Sequence, residues 1–91
     1  MSFNIIYHPQ VARDDIPKLS KEWKSKIQKA IEQRLSTNPE TYGKPLRKSL
    51  KGYRKLRVGD YRIIFLLEKR IIKILAIQHR SVVYDRINKR I

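Results

Sequence analysis

Two hydrophobic rhythms divide this chain, and no single regular element satisfies both. Leu19, Trp23, Ile27, Ala30, Ile31 and Leu35 recur at the spacing of one helix face, with Lys24, Lys26, Gln28, Lys29 and Gln33 opposite. From about residue 50 the period becomes two, which is the period of strands whose side chains alternate between faces. A helical half and a sheet half must therefore cover each other, the usual solution for an α+β domain.

The remaining elements follow from punctuation. Phe3–Tyr7 read as a first strand ended by His8-Pro9, and the segment after Pro9 opens a helix that Pro17 breaks or kinks. Ser20 is placed to cap the strong helix predicted for Lys21–Leu35, because its hydroxyl can accept an orphan amide of the first turn. Asn38-Pro39 ends that helix, and residues 40–49, with Gly43, Pro45 and basic residues in or beside them, read as a linker. Strands are predicted at Leu50–Val58, Tyr61–Leu67 and Ile71–Gln78, with turns at Gly59-Asp60 and Glu68-Lys69-Arg70. A last helix spans Ser81–Arg90. The prediction is one domain over 1–91, order β-α-α-β-β-β-α, with an antiparallel sheet packed against helices. Trp23 is expected at the core edge as a packing residue.

Charge narrows the partners. Twenty-two Lys and Arg against eight Asp and Glu give +14 in 91 residues. Residues 1–40 carry seven bases and five acids; residues 41–91 carry fifteen bases and three acids. Charge gathered in one half points to nucleic acid or an acidic protein, since an anionic partner relieves the self-repulsion. A solvated basic surface kept for solubility is the alternative. With no cysteine there is neither a disulfide nor a thiolate metal site. The N-terminal stretch lacks the pattern of a signal peptide, and the longest apolar run, Ile63–Leu67, is far short of the roughly 20 residues that span a bilayer. A cytoplasmic protein without a membrane partner is expected.

The hairpin register assigns the charges to a face. A two-residue loop at Gly59-Asp60 pairs Val58 with Tyr61, Arg57 with Arg62, Leu56 with Ile63 and Lys55 with Ile64. One face then collects Val58, Tyr61, Leu56, Ile63, Phe65 and Leu67; the other collects Lys55, Arg57 and Arg62. Like charges directly opposite each other repel by a few tenths of a kcal/mol up to about 1. An anion bridging the two guanidinium forks reverses that sign, whereas splayed, solvated side chains leave the stripe inert. The third of these strands is apolar on both faces, as a central strand requires, and delivers His79 and Arg80 to its end, with Tyr84 about one helical turn beyond. Cations for a backbone and a ring for an unstacked base suit single-stranded RNA.

No paired carboxylates, metal-spaced ligands, glycine-rich phosphate loop or serine motif accompany the cluster, so neither cofactor nor metal is expected. RNA cleavage without metal stays open, because the 2′-hydroxyl can attack its own neighbouring phosphate once the strand is aligned. Arginines can stabilise the charged phosphorane, and a lysine crowded by cations can serve as base. Lys55 is the natural base, with His79 the other candidate.

Tyr53–Phe65, with its R-x-G-x-Y-R core from Arg57 to Arg62, resembles the hairpin of the RelE/ParE toxin superfamily. The H-R-x-x-V-Y run from His79 to Tyr84 is similar to that superfamily's ending, and Leu46–Leu50 to its L-x-x-x-L lead-in. The resemblance implies a RelE-like toxin that enters the ribosomal A site and cuts mRNA, and a cognate antitoxin that blocks it. It implies that Lys55 and Arg57 are the paired basic positions, that Arg62 holds the phosphate and that Tyr84 stacks on or orients a base. It implies Arg80 at the leaving group, a place His79 could also take because the preceding loop is shorter than in the pattern. Lys48, Lys51, Arg54 and His79 are expected to bind RNA. Here the paired positions are Lys55 and Arg57 where the pattern has two lysines, which leaves only Lys55 able to take a proton. Two rivals share these features in part: a ParE-type member that inhibits DNA gyrase by protein contact, and a non-catalytic RNA- or ribosome-binding module.

Overall fold

The computed structural model describes residues 3–46 and 52–90. Lys48, Lys51, the expected strand start at Leu50 and most of the L-x-x-x-L lead-in lie outside them. The strands are β1 (Asn4–Tyr7), β2 (Lys44–Pro45), β3 (Tyr53–Val58), β4 (Tyr61–Glu68) and β5 (Ile71–His79), in the sheet order β1-β5-β4-β3-β2. The α+β class and the central place of β5 agree with the sequence reading. The sheet, however, is mixed, because β1 runs parallel to β5 and pairs Asn4 with Ile71 through Tyr7 with Ile74. That pairing joins distant segments, so no local turn signal announces it.

Between β1 and β2 the chain forms a π-type turn at Val11–Asp15, a 3-10 turn at Ile16–Lys18, and helix α1 (Lys21–Ala30), which continues as π-type turns over Ile31–Leu35. Ser20 caps α1, accepting from the Trp23 amide. His8 Nδ1 accepts from the Gln10 amide, which fixes His8 as a structural residue where the first helical segment begins. A short helix α2 (Pro39–Tyr42), beginning at the expected helix stop, runs into the expected linker, and β2 follows inside it; neither carries enough residues to display a period. Helix α3 (Val83–Arg90) closes the chain and starts two residues later than predicted. No helix among the described residues is long and apolar enough to cross a membrane.

Two cores sandwich the sheet. On one face Ile27, Ile31 and Leu35 pack on Leu56, Ile63, Phe65, Ile72 and Ile74. On the other, Ile64 and Ala76 meet Val83 and Ile87 of α3. The face predicted to be basic is therefore half core, since α3 covers the part nearest β5 and leaves the β3 side open. A bulge helps both strands serve two cores: Ile64 pairs with Ala76 but Phe65 with Ile74, so Leu75 is skipped.

The β3–β4 turn fixes everything downstream of it. Gly59 has φ +58°, the first-position geometry of a type II′ hairpin turn. A Cβ there would come within 2.5 Å of the Trp23 ring, so backbone conformation and close approach both require glycine. Trp23 in turn packs against Tyr61, ring centroids 4.8 Å apart. Gly59→Ala should destabilise the domain by about 1–3 kcal/mol. Urea unfolding followed by the fluorescence of Trp23 reads this directly, and an unchanged midpoint would contradict the packing described.

Candidate functional site

The register derived from the turn is the observed one: Lys55 opposite Ile64, Leu56 opposite Ile63, Arg57 opposite Arg62 and Val58 opposite Tyr61. Alternation along β3 puts Lys55 and Arg57 together. Arg62 follows from the same geometry on β4, and it is the unusual member. It is only 9% exposed, and one guanidinium nitrogen donates to the carbonyls of Gly59 and Tyr61 at 2.9 and 3.0 Å. No carboxylate pairs with it among the described residues. A largely desolvated cation with Arg57 as its cross-strand neighbour is a costly arrangement. Its Nε–H and second NH2 group make no hydrogen bond among the described residues.

Tyr84 comes from α3, which the second core seats against Ile64 and Ala76. The Lys55 ammonium donates to its hydroxyl at 3.4 Å, and the residue is 38% exposed. Lys55, Arg57, Arg62 and Tyr84 are thus gathered as expected. Arg80 stands past the end of β5 with its Nε 3.9 Å from the Asp60 carboxylate, both side chains largely exposed. That loose pair leaves Arg80 able to swing. His79 turns to Tyr61, in edge contact at 5.8 Å. Its Nδ1 accepts from the Ser81 amide at 3.1 Å, which places the neutral ring's proton on Nε2. Arg54 departs from expectation: it shares the Leu56 face of β3 and donates to the Gly43 carbonyl at 3.0 Å, a tie between β3 and the start of β2.

Sequence reasoning missed two groups. Arg34, Tyr42 and Lys44 line one cavity with Lys55, Arg57 and Arg62; Lys44 was visible only as one of several basic linker residues. Asp15 is 2% exposed and accepts from the Ile77 amide at 2.9 Å and the Gln78 side chain. The Arg90 guanidinium also grips it through both NH2 groups, at 2.7 and 2.6 Å. These hydrogen bonds hold the Arg90 pKa above its ordinary value, outweighing the opposing effect of its burial. Asp14-Asp15 reads in sequence only as two acids further along the helix that opens after Pro9, and nothing local marks the second as buried.

A small α+β domain that presents a lysine and two facing arginines on a hairpin face, with a tyrosine of the last helix beside them, has the architecture of the RelE/ParE toxin superfamily. The chain belongs to the family described as "ParE toxin of type II toxin-antitoxin system, parDE", matching it over residues 3–84. It is 38% identical over 52 residues to Toxin RelE of Mycobacterium tuberculosis, a match covering 55% of this chain and 54% of that protein. Aligned residues thus span about half of that curated relative. The toxin–antitoxin complex RelBE2 from M. tuberculosis contains a similar fold, with a TM-score of 0.81 and 27% identity over 88% of this chain and 100% of that one. A mutant of the E. coli toxin RelE in the free state shares the fold at a TM-score of 0.76 and 17% identity, covering 100% of this chain and 99% of that one.

Proposed function

We propose that this chain is the toxin of a toxin–antitoxin pair and an endoribonuclease that cuts mRNA in the ribosomal A site. The observation that carries the reading is Arg62: desolvated, without an acidic partner among the described residues, and facing Arg57. A phosphate between the two forks turns a repulsive pair into a charge-assisted bridge. The cleaved strand supplies its own nucleophile. As the 2′-oxygen bonds to phosphorus and the bond from phosphorus to the 5′-oxygen breaks, negative charge builds on the non-bridging oxygens, where fixed N–H donors stabilise it best.

Lys55 takes the 2′-hydroxyl proton. Its neighbour Tyr84 offers a ring on which the adjoining base stacks, which would align the attacking oxygen. The leaving oxygen falls to Arg80 or His79. The His79 ring is turned against Tyr61 and hydrogen-bonded through Nδ1 to Ser81, so we assign the place to Arg80, acting by charge with solvent supplying the proton. Lys55→Arg separates base from mere cation, because guanidinium does not deprotonate. It should cut the cleavage rate by about 100-fold, read by primer extension on mRNA translated in vitro. Cleavage at the wild-type rate would remove Lys55 from the base role.

The RelBE2 neighbour was solved with its antitoxin; a cognate antitoxin is inferred here too, its acidic groups answering the +14 charge. The family description favours one rival, a ParE-type toxin that inhibits DNA gyrase by protein contact. Growth arrest with intact mRNA, together with inhibited gyrase supercoiling in vitro, would establish that rival.

A further inference from the structure

The basic surface does not end at Lys55. Lys44 of β2 is the cross-strand partner of Lys55, so a second like-charge pair lies beside that of Arg57 and Arg62. The Arg34 guanidinium lies 5.8 Å from the centroid of the Tyr42 ring, and Tyr42 is 45% exposed. Arg34, Tyr42 and Lys44 share with Lys55, Arg57 and Arg62 a cavity of about 210 Å³, and no acid lines it among the described residues. Two adjacent like-charge pairs cost stability unless an anion bridges them.

This second cluster is held firmly. The Gly43 amide donates to the Pro39 carbonyl at 2.8 Å, and the Gly43 carbonyl accepts from Arg54 at 3.0 Å. A Cβ at Gly43 would sit 2.2 Å from the Phe65 ring. Tyr42 and Lys44 therefore flank a residue pressed into the core, so their side chains leave the backbone from fixed points. An exposed ring backed by one cation, beside a second cation, is a stacking platform with a phosphate contact.

We infer that Arg34, Tyr42 and Lys44 form a second subsite for single-stranded RNA, holding a nucleotide next to the one at the scissile phosphate. Tyr42 stacks on its base, while Lys44 and Arg34 take its phosphate. The inference rests on the nuclease reading for its substrate but not for its test. An acidic peptide would satisfy the cations equally well, and it is the ring that favours a base.

The test is fluorescence anisotropy with a labelled, uncleavable 2′-O-methyl RNA hexamer, titrated with the full chain at several salt concentrations. Tyr42→Leu should weaken binding by about 5- to 100-fold, and Tyr42→Phe should restore it. Lys44→Gln should lower the salt slope by roughly one phosphate contact. Circular dichroism checks that each variant folds. Equal binding by wild type and Tyr42→Leu, or no binding by the wild type at low salt, overturns the subsite. So does a Tyr42→Leu defect toward a poly-glutamate peptide but not toward RNA. If Tyr42→Leu weakens RNA binding while the wild type leaves ribosome-bound mRNA intact, the subsite stands and the nuclease reading falls.

Discussion

Replacing Asp15 with alanine should destabilise the domain by about 3–5 kcal/mol, the cost of leaving one member of a buried ion pair without the other. That is a large part of the roughly 5–15 kcal/mol that holds a typical domain together. The size follows from what Asp15 connects. The last β1–β5 pair is Tyr7 with Ile74, so among the described residues β5 runs on with no strand on that side. Asp15 accepts from the Ile77 amide and Arg90 donates to the Leu75 carbonyl at 3.0 Å, so the pair stands in for the missing strand as well as for itself. Asp15→Asn keeps an acceptor for Ile77 but loses the charge, and should cost less than alanine. Arg90→Met should also be costly, and the double variant should cost less than the sum of the two singles. Urea unfolding of the wild type and the four variants measures this. A loss below about 0.5 kcal/mol for Asp15→Ala would mean the pair contributes nothing net, as many surface ion pairs do.

Function should register the same change. Arg90 lies on the helix that carries Tyr84, and Gln78, bonded to Asp15, is the cross-strand partner of Arg62. Loosening Asp15 therefore loosens both walls of the site.

What the sequence revealed and what it hid divide by distance along the chain. The pairing of Arg57 with Arg62 was legible because a two-residue turn sets the register and alternation does the rest. The α1 stripe was legible because helical periodicity is local. The Asp15–Arg90 pair joins residues 75 positions apart, and β1 meets β5 across most of the chain; no local pattern encodes either. Arg34 and Tyr42 escaped for another reason. Their cavity forms only when a two-residue strand containing a proline joins β3, and so short a strand has no period to read. The half-covered basic face was missed because the cover is α3, whose Val83 and Ile87 seat on Ile64 and Ala76, and no local pattern tells where a last helix docks.

Arg62→Ala should reduce mRNA cleavage by about 100- to 1000-fold, the usual loss when one fixed donor to a developing oxyanion is removed. The stronger expectation concerns stability, which should hold or rise. The substitution relieves the like charge facing Arg57, worth a few tenths of a kcal/mol up to about 1. It also removes a buried cation that has no acid partner among the described residues. What it forfeits are two part-buried hydrogen bonds, to the carbonyls of Gly59 in the turn and Tyr61 at the start of β4. Arg62→Lys keeps the charge but loses the fork, so it should recover only part of the activity. Primer extension on translated mRNA reads the first quantity and thermal unfolding the second. Cleavage within about threefold of wild type would end the phosphate assignment. A large fall in melting temperature would instead recast Arg62 as a clamp of its own turn. Only lost cleavage with retained stability fits a residue that the fold bears at a cost for the sake of an anion.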